Sequence, residues 1–318
     1  MTQLTLFLSD FEERRALAQV GLGRGMRGRR SVLGNSLDSF AKWLLKFRLV
    51  SIPARKIANS SLAWSIVSRS DRVRAHRLRD RVLTGELPNH VSIIMDGNRR
   101  FAWSKSSVVG VGHSEGKEKL KEVMDWVLDL GIPYFTVYAL STENISERDE
   151  GELDVLYDLY VSGLNEISED ARIHDRKVRV QVVGRLEMLP QRVRDAISNA
   201  EDVTSDYSDF IFTVCLAYGG REEIVDAVKS LAFDHASGKL DLDSIDSSEI
   251  TKRMYASEPP DPDLVIRTSG EERISNFLLW QIAYSELHFS DVFWPSFSKS
   301  DLYEAIESYQ YRRRRYGG

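Results

Sequence analysis

The sequence predicts an α/β fold with a mainly parallel, open sheet flanked by helices. Short apolar runs alternate with longer segments in which apolar residues recur every three or four positions, which is the pattern of repeated βα units. Several of the apolar runs end in polar or glycine-containing loops, as strands do at the edge of an open α/β sheet that holds a site. The fold class follows from these two observations.

The first elements are the most regular. Residues 90–95 form an apolar run that indicates a buried strand, and a polar loop follows it. An apolar stripe then predicts a helix from about Ser114 to Gly131. The second strand, 134–140, is rich in aromatic and β-branched residues. Apolar positions within 153–164 predict the next helix.

The later elements continue the same alternation. Pro259, Pro260 and Pro262 mark a turn before a short buried strand. We predict strands at 178–183, 210–216, 263–267 and 287–290, and helices from about Pro190, from about Glu222, near 276–283 and over 299–310.

Composition limits the class of protein. The 318 residues suffice for one large domain or two small ones, and 42% hydrophobic with 29% charged residues is ordinary for a globular protein. The single cysteine, Cys215, excludes an internal disulfide framework and a multi-cysteine zinc site. No apolar run approaches the ~20 residues that span a bilayer, and no signal core follows a basic start. We expect a cytoplasmic protein, with a peripheral position on the membrane left open.

The charge is unevenly distributed. Residues 1–81 carry a formal net charge of +11, whereas the remainder carries −16. We expect residues 1–35 to be poorly ordered, because the segment 21–30 has too little apolar content to fold alone. We therefore expect a basic extension over 1–87 that is partly disordered and partly helical, and a catalytic domain over 88–318.

The extension contains a basic amphipathic helix at 37–50 and a second helical piece at 61–82. Contact of residues 37–82 with a membrane surface is one interpretation. Packing on the acidic body and a basic arm for nucleic acid are the alternatives. Because no recognised nucleic-acid-binding module is present, we expect no nucleic acid partner.

Four strand-end loops carry residues suited to phosphate or to a hard cation, and they share one edge of a parallel sheet. Their acids, amides and arginines suit a ligand with several phosphates and one divalent ion. No G-x-G-x-x-G pattern follows the first strand and no P-loop pattern is present, which argues against those nucleotide sites. The loops are Asp96–Arg100, Ser141–Asn144, Gly219–Arg221 and Arg267–Gly270.

The loop after the first strand is the most informative. Asp96 is suited to a hard cation such as Mg²⁺. Gly97 allows a ligand to approach the backbone, and Arg99 and Arg100 can bind phosphate oxygens. A polar turn with two solvated arginines is the alternative.

Five motifs in a fixed order resemble the cis-prenyltransferases, the undecaprenyl diphosphate synthase family, over roughly residues 88–318. The segment 183–190 and the arginine-rich end are most similar to archaeal members. The motifs are His90–Ala102, Gly112–His113, Tyr138–Asn144, Tyr218–Arg221 and Asp263–Leu287.

The resemblance implies an undecaprenyl diphosphate synthase-like fold and a prenyl transferase that condenses isopentenyl diphosphate onto farnesyl or geranylgeranyl diphosphate. Each step adds a Z double bond, and the product is a polyprenyl diphosphate precursor of a lipid carrier. It also implies Mg²⁺ and a homodimer, with the tail Arg315–Gly317 reaching the partner's site. A short-chain synthase and a non-catalytic partner subunit are the alternatives; the latter lose the Asp-Gly-Asn loop that is present here.

The resemblance also assigns roles. Asp96 and Asn144 are the catalytic residues, and Asp96 and Glu286 are the metal ligands. Structural roles are the alternatives for Phe101, His113, Glu143 and Glu286. The substrate-binding residues are Gly97, Asn98, Arg99, Arg100, Phe101, His113, Ser141, Thr142, Glu143, Arg148, Arg267, Arg273, Ile274 and Ser275.

Some positions depart from the family pattern. Val109 stands where many members have an arginine, and Arg99 is a candidate to replace that phosphate contact. Arg148 and Glu152 match only with a one-residue insertion. The resemblance places a product tunnel between the sheet and the helices near 117–130 and 152–170. Ala139 favours a long product, whereas the stripe Leu153, Leu156, Tyr157 and Tyr160 is either a plug or core.

Overall fold

The structure is a computed structural model that describes residues 74–316, and the side chains of residues 74–312. These residues belong to one compact unit, Ser65–Gly318. The predicted helix at 37–50 and the first part of the one at 61–82 lie outside the described residues, as do the side chains of the predicted tail motif.

Strands and helices alternate along the described residues. The strands are β1 (His90–Ile94), β2 (Tyr134–Tyr138), β3 (Val178–Val183), β4 (Phe210–Cys215), β5 (Leu264–Arg267) and β6 (Glu286–Phe289). The helices are α1 (residues 74–82), α2 (Asn98–Ser104), α3 (Val109–Asp129), α4 (Thr142–Glu147), α5 (Glu150–Glu169), α6 (Ala171–Asp175), α7 (Gln191–Thr204), α8 (Gly220–Ala236), α9 (Ser247–Thr251) and α10 (Lys299–Tyr316). Within residues 74–316, no helix combines the length and the apolar composition that crossing a membrane requires.

The strands form one parallel sheet in the order β3-β4-β2-β1-β5-β6. β1 lies between β2 and β5, with Ile94 opposite Tyr138 on one side and Arg267 on the other. The carboxyl ends of these strands therefore meet at one edge. The prediction of a mainly parallel sheet flanked by helices is confirmed.

Alternate strand residues pack into two apolar cores, one on each face of the sheet. Val91 and Ile93 lie in the larger core, which includes residues of α3, α5, α7 and α10. Ile94 lies in the smaller core with Phe277 and Leu278. Burial on both faces explains why the strands are continuous apolar runs in the sequence.

The loop after β1 is short, because α2 begins at Asn98. Gly97 precedes it with a φ of 104°, and a Cβ at this position would lie 2.8 Å from Ser269 Oγ and 2.9 Å from Phe293 Cδ1. Only glycine combines this backbone conformation with so close an approach. The next helix, α3, begins at Val109, earlier than the predicted start near Ser114.

The predicted helix near 276–283 is wrong. This segment consists of turns, and Ser275, Asn276 and Leu278 have φ values of 47°, 61° and 44°. Such left-handed residues interrupt a right-handed helix. The segment is held from outside instead, because the Asn276 carbonyl oxygen accepts a 2.7 Å hydrogen bond from the Gly220 N–H.

Helix α1 packs on the last helix, α10. Leu78 and Val82 are buried in the larger core. Gln310 donates a 2.8 Å hydrogen bond to the Val82 carbonyl oxygen, and Arg81 pairs with Glu307 at 3.1 Å. The domain boundary at residue 88 stays a prediction.

Candidate active site

A cavity of about 400 Å³ lies at the carboxyl edge of the sheet, bounded by α3 and α5. Where the strands end, its lining is charged or polar, whereas farther along α3, α5 and β4 it is apolar. The polar residues include Asp96, Asn98, His113, Ser141, Asn144, Arg148, Arg267, Arg273 and Ser275. The apolar residues include Leu120, Leu156, Leu159, Leu164, Ile167, Phe212, Val214 and Leu216. This lining suits a ligand with an anionic head and an apolar tail.

Asp96 lies between two arginines at the polar end. Its Oδ1 accepts a hydrogen bond from Arg100 at 3.3 Å, and its Oδ2 accepts one from Arg267 at 2.8 Å. Thr268 Oγ1 fixes the backbone here, because it accepts from the Asp96 N–H at 2.9 Å and donates to the Asp96 carbonyl at 2.7 Å. Arg100 also pairs with Glu271 at 2.9 Å, and Glu271 pairs with Arg273. Three guanidinium groups therefore face two carboxylates, which leaves positive charge for a phosphate.

Arg267 joins Asp96 to the loop that follows β5. Its guanidinium Nη1 donates to the Arg273 carbonyl at 2.5 Å and to Ser275 Oγ at 2.7 Å. The side chain is 5% exposed, and its Nε has no hydrogen-bond partner among the described residues. Arg273 is different, because its side chain is 61% exposed. The structure thus brings together three predicted substrate-binding residues, Arg267, Arg273 and Ser275, which we call the clamp.

Glu152 connects three predicted substrate-binding residues. Arg99 donates to both of its carboxylate oxygens, Arg148 Nη1 donates to Oε1 at 2.9 Å, and His113 Nε2 lies 3.0 Å from Oε1. Burial lowers the pKa of His113, which favours the neutral imidazole. Arg99 is paired with Glu152 in this structure, and its proposed replacement of a contact missing at Val109 stays a prediction.

The loop after β2 leads directly into α4. Ser141 caps this helix, because its Oγ accepts a 3.0 Å hydrogen bond from the Asn144 N–H. Asn144 Oδ1 accepts from Arg148 at 3.2 Å, and both side chains line the cavity. Glu143 accepts a 2.9 Å hydrogen bond from Asn276 instead, and neither Glu143 nor Thr142 lines the cavity.

Three further predicted residues lie away from the cavity wall. The Phe101 ring lies 5.4 Å from Lys105 Nζ, and Ile274 packs against the smaller core. Glu286 lies opposite Leu264, at the amino end of β6, and accepts a 3.0 Å hydrogen bond from Arg312. Asp96 follows the carboxyl end of β1, so the structure does not bring these two acids together within the chain. The metal role of Glu286 stays a prediction.

Three residues near the site have roles that the sequence does not assign. Glu152 links the arginines, Thr268 fixes the Asp96 backbone, and Lys117 lines the cavity. The spacing of four residues between Arg148 and Glu152 on a helix is a signal for the first of these. Thr268 lies within the predicted strand-end loop Arg267–Gly270, whereas no sequence pattern indicates Lys117.

The tunnel stripe is divided between the cavity wall and the core. Leu156, Tyr160 and Ala139 line the cavity, and Tyr160 donates a 3.0 Å hydrogen bond to the Ala139 carbonyl. Leu153 and Tyr157 are buried in the larger core and do not line the cavity. Leu153 and Tyr157 are therefore core residues, whereas a plug formed by Leu156 and Tyr160 stays a prediction.

The fold and the cavity define a class: α/β proteins whose cavity, at the carboxyl edge of a parallel sheet, suits a molecule with an anionic head and an apolar tail. The sequence profile of a prenyltransferase family described as undecaprenyl diphosphate synthase matches residues 94–317. The chain belongs to this family and is a cis-type transferase of prenyl groups, as the sequence predicts.

Two archaeal proteins show the same relationship. Both are named tritrans,polycis-undecaprenyl-diphosphate synthase (geranylgeranyl-diphosphate specific). The one from Methanopyrus kandleri is 52% identical over 240 residues, which are 76% of this chain and 88% of that protein. The one from Pyrococcus horikoshii is 50% identical over 240 residues, which are 76% of this chain and 90% of that protein.

Solved structures agree on the fold. Lavandulyl diphosphate synthase from Lavandula x intermedia, in complex with dimethylallyl diphosphate, is similar with a TM-score of 0.66 and 34% identity, over 70% of this chain and 95% of that one. A probable undecaprenyl diphosphate synthase from Campylobacter jejuni is similar with a TM-score of 0.59 and 29% identity, over 73% of this chain and 99% of that one.

Proposed function

We propose that the protein elongates geranylgeranyl diphosphate with isopentenyl diphosphate through successive cis additions and releases a long polyprenyl diphosphate. The observation that carries this proposal is the cavity, whose polar end holds Asp96, Arg148 and Arg267 and whose other walls are apolar. The names of the archaeal relatives support geranylgeranyl diphosphate as the primer. The small side chain of Ala139 in the cavity wall supports a long product.

In each addition the allylic C1–oxygen bond breaks and diphosphate leaves. C1 bonds to the terminal alkene carbon of isopentenyl diphosphate, which loses a proton as the new double bond forms. Arg100 and Arg148 stabilise the charge on the departing diphosphate. Arg267 and Ser275 hold isopentenyl diphosphate, and the 2.8 Å contact of Arg267 with Asp96 sets the two diphosphate sites side by side. Asn144 orients the group that receives the proton.

The donor atoms at the polar end fit magnesium. Asp96 offers a carboxylate, and the amide oxygen of Asn98 is buried without a hydrogen-bond partner among the described residues. The residues that the structure describes contain no cluster of three His, Cys, Asp or Glu side chains suited to a metal. This agrees with Mg²⁺, which typically takes one or two carboxylates together with substrate phosphates. When bound, magnesium neutralises charge that develops on the leaving diphosphate.

Turnover tests the proposed function directly. With Mg²⁺ and labelled isopentenyl diphosphate, we expect efficient elongation of geranylgeranyl diphosphate and a lower kcat/KM with farnesyl diphosphate. Product length is read by chromatography against polyprenyl standards. Absence of turnover with both primers would contradict the proposal. Release of the product after one or two additions would favour a short-chain synthase.

We also propose a homodimer and a peripheral position on the membrane through residues 37–82. The triple variant K42E/K46E/R48E should lose binding to anionic vesicles, because ~1 kcal/mol per basic residue near an anionic surface is removed and replaced by repulsion. Cosedimentation with vesicles of anionic or neutral lipid measures this. The control K229E/K239E/K252E changes the net charge equally on exposed parts of the body and should retain binding. Equal losses in both variants would contradict a role specific to 37–82.

A further inference from the structure

Polar contacts join helices α3 and α5 along one side of the cavity. Lys117 Nζ donates to Ser162 Oγ at 3.2 Å and to Glu166 Oε1 at 2.8 Å. Lys121, one turn farther along α3, forms an ion pair with the other carboxylate oxygen of Glu166. We call these four residues, Lys117, Lys121, Ser162 and Glu166, the helix clasp.

The lysine of the clasp is part of the cavity wall. Lys117 lines the cavity together with Leu120, Gly163 and Leu164. A Cβ on Gly163 would lie 3.7 Å from Lys117 Cδ, so the lysine stem crosses α5 at this glycine. The Lys117 side chain is only 18% exposed, whereas that of Glu166 is 42% exposed. The stem therefore contributes to the wall, and the ion pair closes the gap between the helices near the surface.

The size of the cavity sets a limit on what it holds. Its volume of about 400 Å³ is that of a pocket for a small organic ligand. A primer fits such a space, but a chain of many isoprene units does not. The sheet forms the opposite wall, and the contact between α3 and α5 is a route by which a product can outgrow the cavity.

The clasp opposes that passage. An apolar chain that separated Lys117 from Glu166 would remove water from both charges without offering them a partner. Hydrogen bonds from Lys117 and Lys121 lower the pKa of Glu166 to about 2, so the pair is charged near neutral pH. Partly exposed ion pairs stabilise a fold only weakly, so the clasp can open without unfolding.

We propose that the helix clasp sets the product length, because a chain that grows out of the cavity between α3 and α5 has to hold Lys117 apart from Glu166, and elongation ends when the cost of this separation opposes further growth. This inference rests on the proposed function, since it requires successive additions within this cavity. Lys117 and Glu166 are thus specificity-determining residues that act on the hydrocarbon chain, away from the diphosphate groups.

The test compares product lengths from the full-length enzyme with geranylgeranyl diphosphate, isopentenyl diphosphate and Mg²⁺. K117M keeps an apolar side chain and removes the charge of Lys117. E166Q removes the charge of Glu166, whose side chain does not line the cavity. Both variants should shift the main product upward by at least one isoprene unit. K117R, which can still pair with Glu166, should retain the wild-type length. E166Q should also retain the wild-type rate of the first addition.

The control is E122Q, which breaks the ion pair of Glu122 with Lys119 on α3 itself and leaves the contacts with α5 intact. Its products should have the wild-type length. Unchanged lengths in both K117M and E166Q, or an equal shift in E122Q, would overturn the inference. If K117M does not fold, E166Q decides alone. A wild-type enzyme without turnover would overturn the proposed function, whereas wild-type turnover with unchanged variant lengths would overturn only the role of the clasp.

Discussion

Replacement of Asp96 by alanine is expected to lower kcat by about 1,000-fold or more, because a metal-assisted step that loses ~4 kcal/mol of transition-state stabilisation slows by this factor. The change removes the acceptor of the hydrogen bonds from Arg100 and Arg267 and the carboxylate that we assign to magnesium. Steady-state turnover at saturating substrates measures the loss. The fold should remain intact, since the Asp96 side chain is 27% exposed and lies outside both apolar cores.

Asp129 provides a matched control for this variant. Its carboxylate also contacts two cations, Arg176 at 3.2 Å and Lys299 at 3.6 Å, but it lies outside the cavity. D129A should therefore retain wild-type turnover. A second variant, D96N, keeps the shape of the side chain and removes its charge, and it should be nearly as inactive as D96A. Turnover of D96A within tenfold of wild type, with an unchanged melting temperature, would contradict the role of Asp96.

The strands could be predicted because burial on both faces makes each one a continuous apolar run. β3 was predicted with its observed bounds, 178–183, and β1 within one residue. The prediction of a helix near 276–283 is wrong for the same reason. Phe277 is fully buried and stacks on Tyr138 with ring centroids 4.8 Å apart, so apolar residues here indicate burial but not a helix. The backbone of this segment depends on residues in the left-handed conformation and on hydrogen bonds to residues distant in sequence. A local sequence pattern carries no information about such partners.

The position of the candidate site followed from topology. A parallel sheet brings the loops after β1, β2 and β5 to one edge, and the cavity lies there. The pairing within the site could not be predicted in the same way. Arg99 and Glu152 are 53 residues apart, and Asn276 and Glu143 are 133 residues apart. Such contacts depend on how the helices and loops pack, whereas the motifs give only residue type and order.

The position of Glu286 in the sheet could not be predicted from its motif. The resemblance implies that Glu286 is a metal ligand, as is Asp96. The register of β5 with β6 places Glu286 level with Leu264, and Leu264 lies beside Val91 near the start of β1. A resemblance therefore names a residue, but the register of the sheet decides which edge that residue occupies.

Replacement of Arg267 by lysine is expected to lower kcat/KM for isopentenyl diphosphate by about 100-fold or more, because two charge-assisted hydrogen bonds at ~1.5–3 kcal/mol each are lost. Lysine keeps the positive charge, but a single ammonium group cannot contact Asp96, the Arg273 carbonyl and Ser275 in the geometry of the guanidinium fork. KM for isopentenyl diphosphate should rise more than KM for the primer, since Ser275 and the Arg273 backbone belong to the loop that we assign to isopentenyl diphosphate.

The arginine-to-lysine substitution at Arg185 is the control. It shows how much of the effect of R267K arises from loss of any carboxylate-paired arginine and how much from loss of this site. Arg185 also makes two hydrogen bonds to a carboxylate, both 3.0 Å from Asp226, but neither residue lines the cavity. R185K should keep both KM values and kcat. Initial rates with each substrate varied in turn distinguish the outcomes for R267K. An equal rise in both KM values would show that Arg267 does not discriminate between the two diphosphate sites. Wild-type kinetics would show that Arg267 does not hold a substrate, because loss of a substrate-binding guanidinium has to change KM or kcat.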